Sequence, residues 1–448
     1  MFKKITLLLA AMILALVLVA CGGQDEADGG AAGAADASVD YTDNPYTDGQ
    51  DLSGTEVTVF GAFVDEDARR FNTAMEPFEE MTGIDIVYEG SGDFETLVTV
   101  RAEGGSPPDV AAFPQPGLAA DLVNGGYIQD VEAWLGMDYL QQQYSSAWTD
   151  LADIGGIQAG VFYRANVKSL VWYNIPVWEA EGYEVPETWD ELLALSDQMV
   201  ADGYTPWSIG IESSGATGWV ATDWIEDIML RIHPPEVYDQ WVAGELPFNS
   251  PEVREAVGYL EEIWFNEDYV LGGREGIVLT PFGDAITPLT VDPPAAILHR
   301  QANFIAGFLP EGGDEIGESV DFFYLPTIDE SLGQPVLGAG DLFSAFNDRP
   351  EVRAVMRWLS TGDSARGWIE AGGFASPHQD AELDWYPTEA DRGVAEILQA
   401  ATTFRFDASD LMPGPVGAGT FWTEMTAYVN DENADLEQLL DNIDASWP

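Results

Sequence analysis

Two carboxylates three residues apart, Asp407 and Asp410, stand near the start of RFDASDLMPGPVGAGTFW, the stretch from Arg405 to Trp422. Three chemistries use such residues: catalysis by a carboxyl pair, a calcium loop, or a polar grip on a ligand. The calcium pattern needs D-x-[DN]-x-[DN]-G and a later Glu, and Ser409 stands where it wants Asp or Asn. Catalysis has no nucleophile or proton relay nearby, and among 78 Asp and Glu a carboxyl pair can be found anywhere. In the third reading Arg405 and Asp407 offer a donor and an acceptor, and Phe421 and Trp422 an apolar face beyond a Gly-lined bend. The alternative is scaffold: Asp410 caps a helix or turn near Met412-Pro413, and Phe421 and Trp422 belong to the core.

The whole chain narrows these choices. Its 448 residues allow two or three domains, and 46% hydrophobic residues mark a globular protein. Against the 78 acids stand 17 Lys and Arg, a formal net charge of −61. That disfavours nucleic-acid binding, since phosphate contacts need clustered cations. So large an excess repels itself unless salt screens it. Adaptation to high salt is one reading and an acidic surface without halophily the other. Cys21 is the sole cysteine, so an intramolecular disulfide is not possible. With three histidines (His233, His299, His378), neither a zinc site nor a Cys–His catalytic pair is expected, and no cofactor or metal is called for.

The elements that must position the polar residues alternate. TEVTVFGAF reads as a strand. DEDARRFNTAMEPFEEMTG reads as an amphipathic helix, with Phe71, Met75 and Phe78 at helical spacing and Gly83 at its stop. IDIVYEG, DFETLVTVRAEGG and PDVAAFPQPG follow as strand, helix and strand. This α/β alternation predicts a largely parallel, doubly wound sheet, with ligands beyond the strand carboxyl ends at 61–63, 90–93 and 113–116. Past residue 160, VFYRANVKSLVWYN reads as a strand pair crossing between lobes. TWDELLALSDQMVADG is a helix opened by a Thr188/Glu191 capping box and closed at Gly203. TDWIEDIMLRI and PEVREAVGYLEEIWF are further helices, and AAILHRQANFIAGFL is an apolar strand and helix start. Two lobes crossed several times by the chain place a cleft at their junction.

The N-terminus is an address. MFKKITLLLAAMILALVLVACGG has a charged start and an apolar run, Ile5 to Ala20, that is short for a membrane span. Leu18-Val19-Ala20-Cys21 resembles the bacterial lipobox, which is cut before a cysteine that then carries a diacylglycerol. A secretory signal or anchor with an incidental cysteine is the plainer alternative. Residues 22–50, rich in Gly, Ala and Asp, read as a flexible acidic tether. The expected location is extracytoplasmic, lipid-anchored to the cell membrane.

FEEMTGIDIVYEGSGDFETLV, GGSPPDVAAFPQPG, KSLVWYN, ETWDELLALSDQM and GYTPWSIGIESSGATGWVATDWIEDIML occur in an order that resembles the family 1 extracellular solute-binding proteins. These are the sugar receptors of ATP-driven (ABC) importers. HRQANFI, AGGFASPH and RFDASDLMPGPVGAGTFW are similar to the alpha-glucoside-binding members. The resemblance covers nearly all of the chain after residue 51. It implies a two-lobed, type II periplasmic-binding-protein-like fold whose hinge strands let the lobes close over a sugar. It implies capture of a small neutral sugar and delivery to permease subunits in the membrane, with no chemistry on the ligand, by a monomer. The expected division is a leader over 1–20 and the lipidated Cys21 with its tether over 21–50. One lobe is expected from 51–160 with 290–345, the other from 161–289 with 346–448.

Sugars present hydroxyls at the ring edge and C–H patches on the faces, so a site needs planar polar groups and aromatic rings. The chain has 15 Trp, 16 Tyr and 21 Phe. Asp93 and Gln115 sit at predicted strand ends and suit vicinal hydroxyls; ordinary loop polarity is the alternative. Tyr163, Arg164 and Lys168 lie close to Trp172 and Tyr173, with an ion pair in an acidic protein as the plainer role. Trp219 and Trp224 flank Asp223 behind Gly215 and Gly218, a stacking platform or the core face of a helix. Arg300 lies in an apolar stretch and needs a sugar or a buried carboxylate as partner. Asp341 and Phe374 follow glycines that allow close backbone approach. Three rivals stand beside the alpha-glucoside receptor: a receptor for another carbohydrate or polyol, a glycoside hydrolase, and a tethered adhesion protein. A phosphate ligand has no cationic nest to receive it, because Arg164, Lys168, Arg300 and Arg405 are scattered.

Overall fold

The computed structural model describes residues 40–309, 316–400 and 402–448, so the leader, Cys21 and most of the expected tether lie outside the described residues. Strand β1, Glu56–Gly61, alternates Val57 and Val59 into the core and pairs in parallel with β2, Asp85–Gly90, and β3, Val110–Phe113. Helix α1, Asp65–Thr82, crosses between β1 and β2 and buries Phe71, Ala74, Met75 and Phe78. Gly83 ends it in the left-handed region (φ 67°), which a side chain resists. Helix α2, Phe94–Glu103, crosses between β2 and β3.

The sheet departs from the parallel expectation at the long strand Pro335–Ala345. That strand runs antiparallel to β3 and to Val161–Val167, and parallel to Thr403–Phe406. The cause is its route: Leu342 pairs with Phe113 and Ala345 with Val110, so the chain enters from the carboxyl ends of the parallel strands. The predicted strand pair does cross. Val161–Val167 belongs to this six-stranded sheet, whereas Leu170–Asn174 is the centre of a three-stranded antiparallel sheet with Leu298–Arg300 and Val320–Tyr324. Lys168 and Ser169 are the link between the two sheets.

Each sheet has its own core. Phe60, Phe71, Phe113, Phe343 and Trp368 pack in one, and Trp207, Trp224, Ile228, Trp264 and Phe421 in the other. The chain divides between them differently from the expected lobes. Val352, Trp358 and Trp368, expected in the second lobe, pack with β1 and α1. Ile297, Leu298, Phe323 and Leu325, expected in the first, pack with Trp207 and Trp224. The described end of the expected tether is held as well, with Tyr46 edge-on to Trp358 at 5.2 Å and to Phe78 at 5.9 Å. The capping box of Thr188 and Glu191 is present on helix Trp189–Asp202, and Gly203 closes it at φ 94°. Among the described residues, no helix is long and apolar enough to cross a membrane.

Candidate functional site

The carboxyl ends of β1, β2 and β3 open into a cavity of about 160 Å³, room for on the order of ten waters. Ala62–Val64, Ser91–Gly92 and Pro114–Gln115 form one wall directly after the three strands. Gly90 is required there, since a Cβ would lie 2.0 Å from the Phe63 carbonyl oxygen. The opposite wall comes from the other core: Ser213, Ala216 and Trp219 around the start of helix Trp219–Ile232, with Asp410 and Trp422. The crossing strands make the floor. Arg164, Asn166 and Lys168 are two residues apart, so an extended chain points all three to one side. Asp341 joins them from the long strand. Trp219, Phe282 and Phe304 meet on one flank, with Trp219 5.2 Å from Phe282 and 5.9 Å from Phe304.

Both cations in the floor are engaged by protein. Arg164 donates from Nε to Asp341 (2.7 Å) and from Nη1 to Asp67 (2.8 Å), and its guanidinium lies 4.5 Å from the Phe63 ring. Burial works against its charge, and the two carboxylates more than restore it. Lys168 is the only lysine after Lys4. It donates to Asp223 at 2.8 Å and to Asp407, stands 3.9 Å from Asp410, and lies 5.4 Å from the Trp219 ring. Burial again opposes the charge, and the surrounding carboxylates hold it well above the ordinary lysine range. These carboxylates do not shift alike. Burial raises Asp223, Glu226 and Asp410, while Asp407, although just as buried, is lowered by Lys168 and the hydrogen bonds it accepts. These acids titrate together around Lys168, with Arg300 a second cation 3.8 Å from Asp223. Asp223, Glu226 and Asp407 are spaced as a metal would need, but Lys168 already supplies their cation. On the cavity wall, burial pushes the Glu95 carboxyl up to about 7, with the Gln115 amide acting against the rise.

Of the residues the sequence singles out, Gln115, Arg164, Lys168, Trp219, Asp341, Asp410 and Trp422 line the cavity. Asp223 and Asp407 lie behind the wall and act through Lys168. Asp93 is exposed, its Oδ1 3.0 Å from where a Cβ on Gly215 would stand. The others are placed elsewhere. Tyr163 is buried and donates to the Ser364 carbonyl. Trp224 packs on Trp207 and Trp264, because five residues after Trp219 a side chain points about 140° around the helix. Arg300 finds the buried carboxylate of Asp227 at 2.7 Å. Phe374 packs on Tyr163 and Trp368, and Phe421 on Phe248 and Trp241. Arg405 pairs with Asp239 at the surface (2.6 Å). The helical cap is Asp407, which accepts from the Asp410 amide, and not Asp410. Sequence reasoning missed Asp67, Glu95, Asn166 and Phe304. The two-residue period of Arg164, Asn166 and Lys168 is the signal that finds Asn166; Phe304 lies in a 3-10 turn that has no such period.

This cleft between two sheet-bearing cores defines a class. The family described as Bacterial extracellular solute-binding protein matches residues 54–364, and the chain belongs to it. The chain is 47% identical, over 88% of its length and 92% of the relative's, to the Osmoprotective compounds-binding protein GgtB of Synechocystis sp.. It is 42% identical, over 87% of its length and 86% of the relative's, to the Alpha-glucosides-binding periplasmic protein AglE of Rhizobium meliloti. The solute receptor AcbH shares the fold with a TM-score of 0.76 at 15% identity, covering 87% of this chain and 98% of that one. Maltose-bound T. maritima MalE3 does so at 0.72 and 16%, again covering 87% and 98%. The fold is thus the two-lobed α/β fold of solute receptors.

Proposed function

We propose that the chain is an extracytoplasmic receptor that captures a neutral sugar, an alpha-glucoside or a related osmoprotective compound, and hands it to the permease of an ABC importer. The observation that carries this reading is the cavity itself. Aromatic rings on one flank offer faces to C–H patches, and polar side chains on the floor and opposite wall offer partners to hydroxyls. No cationic nest receives an anion, because both floor cations are already paired with carboxylates. The names of the relatives at 47% and 42% identity point to the same ligand class.

The lobes in this reading follow the two cores: 51–160 with about 340–386, and 170–335 with 408–448, hinged through the crossing strands. Leu18-Val19-Ala20-Cys21 supports a lipid anchor, and the charge of −61 supports a surface adapted to salt. A monomer suffices, since the described cavity is built from one chain.

A thermal-shift panel tests the reading. Trehalose, maltose, sucrose or a related neutral glucoside is expected to raise Tm by a few degrees, because a ligand at 100 Kd adds about 2.7 kcal/mol to the folded state. Phosphate esters of the same sugars are expected to leave it unchanged. Turnover of p-nitrophenyl glucosides or of the disaccharides contradicts the receptor reading. A Tm that does not rise between low and molar salt contradicts the halophilic one.

A further inference from the structure

Most polar atoms around the cavity are already used. Arg164 spans Asp67 and Asp341, and Lys168 is held between Asp223 and Asp407. Two atoms are not. Gln115 Oε1 and Asn166 Oδ1 are buried, have no hydrogen-bond partner in the protein, and belong to residues of the cavity lining. Each residue is only 6% exposed. Their positions are fixed by the fold. Gln115 directly precedes helix Pro116–Asn124, yet its side chain makes no capping bond. Asn166 sits opposite Ala339 in the ladder between the crossing strand and the long strand. An orphaned carbonyl in such a place destabilises the fold, and a ligand hydroxyl recovers that cost.

Resting on the receptor reading above, we propose that Gln115 and Asn166 are the specificity-determining pair of this cleft, their side-chain carbonyls each accepting a hydrogen bond from a hydroxyl of the bound sugar. Neither residue is charged, so the pair reads the presence of a donor rather than a charge. An amide oxygen takes only donors. A sugar lacking the hydroxyl, or carrying a methyl ether there, leaves the carbonyl unpaired and is rejected. Asp67 and Asp341, two carboxylates on the single Arg164 at the same cavity, turn away anionic derivatives for a second reason. The large aromatic surface, by contrast, accepts any pyranose face and discriminates little. Affinity comes from the rings and selection from the two amides.

Calorimetry on the full chain with trehalose, maltose and sucrose tests this. Asn166→Ala and Gln115→Ala are each expected to weaken the best of the three by about 10- to 100-fold. The Tm of ligand-free Asn166→Ala is expected to stay level or rise, because that substitution removes an unpaired buried carbonyl; Gln115→Ala also releases Glu95 from the Gln115 amide and is read by affinity. A scaffold role would lower that Tm. Monodeoxy analogues of the same sugar add the second readout. Wild type is expected to lose at least tenfold with one particular deoxy position, and the matching alanine variant to be indifferent to that position. Sugar binding that survives both substitutions, or a deoxy penalty identical in wild type and variants, overturns this inference alone. A wild type that binds none of the three sugars, nor any other neutral glycoside offered, overturns the receptor reading and this inference with it.

Discussion

Arg164 and Lys168 stand four residues apart on one side of the chain, both buried, both under the same cavity, and their surroundings are opposite in kind. Arg164 has two carboxylates, Asp341 on Nε and Asp67 on Nη1, and a planar guanidinium meets both at hydrogen-bond distance without compromise. Lys168 has four acids around one point charge. It donates to two of them, Asp223 and Asp407, and the carboxyls shift in opposite directions, Asp407 lowered and Asp223, Glu226 and Asp410 raised by burial. The first arrangement is geometric, with burial raising the Asp341 carboxyl and Arg164 opposing the rise. The second is a shared-proton cluster whose stability hangs on one ammonium. Lys168 also touches both cores, because it directly follows the crossing strand while its acids come from helix Trp219–Ile232 and from Asp407.

Removing Lys168 is therefore expected to cost the most. Lys168→Met strands several buried carboxylates, a loss of about 3–5 kcal/mol, read by chemical denaturation. The sign with pH follows. Without the ammonium Asp407 is no longer held low and its neighbours are raised further above their unfolded values of about 4, so stability is present at low pH and lost as pH rises. The deficit is expected to be largest near pH 8 and to shrink towards pH 5. A deficit that is flat with pH removes the shared-proton picture.

Arg164→Lys keeps the charge but loses the fork, so one of Asp67 and Asp341 goes unpaired, at a cost of about 1–3 kcal/mol. An unchanged Tm would make the two cations equivalent. Glu95 is expected to have the next largest effect. Its carboxyl is raised to about 7 by burial, so it contributes stability that is full below its unfolded pKa of about 4.3 and lost as pH rises towards 7. Compared with Glu95→Gln, wild type is expected to lose on the order of 1–2 kcal/mol between pH 5 and pH 8. Parallel pH profiles would return Glu95 to ordinary polarity. Arg405→Ala is expected to do least, since an exposed pair such as Arg405–Asp239 is worth about 0–1 kcal/mol. Sugar affinity is expected to be unchanged, and a large loss would bring Arg405 back into the site.

The parallel half of the fold was legible because each of its signals is local. Alternation in TEVTVFG, helical spacing in α1 and Gly83 at its end need no tertiary knowledge. The long strand's antiparallel entry was not legible, because it depends on where a chain returns after a long excursion. The same limit explains the site. Gln115 follows a strand end and Trp219 opens a helix, both positions that sequence can mark. Arg300 and Arg405 looked available only because their partners, Asp227 and Asp239, are remote in sequence. Asp407 drew attention for its spacing from Asp410, and it matters for another reason, as the charged partner of Lys168. Aromatic residues alone could not be sorted, since Trp219 faces the cavity and Trp224 the core of the same helix.

Calorimetric titration of the wild-type chain with the sugar that raises Tm most, set beside the same titration of Trp219→Ala, tests the central claim most directly. Wild type is expected to bind a neutral sugar saturably and the variant at least tenfold more weakly, with the ligand-free fold intact by near-ultraviolet circular dichroism. Equal affinity in the two proteins, or binding only of an anionic derivative, would contradict that claim.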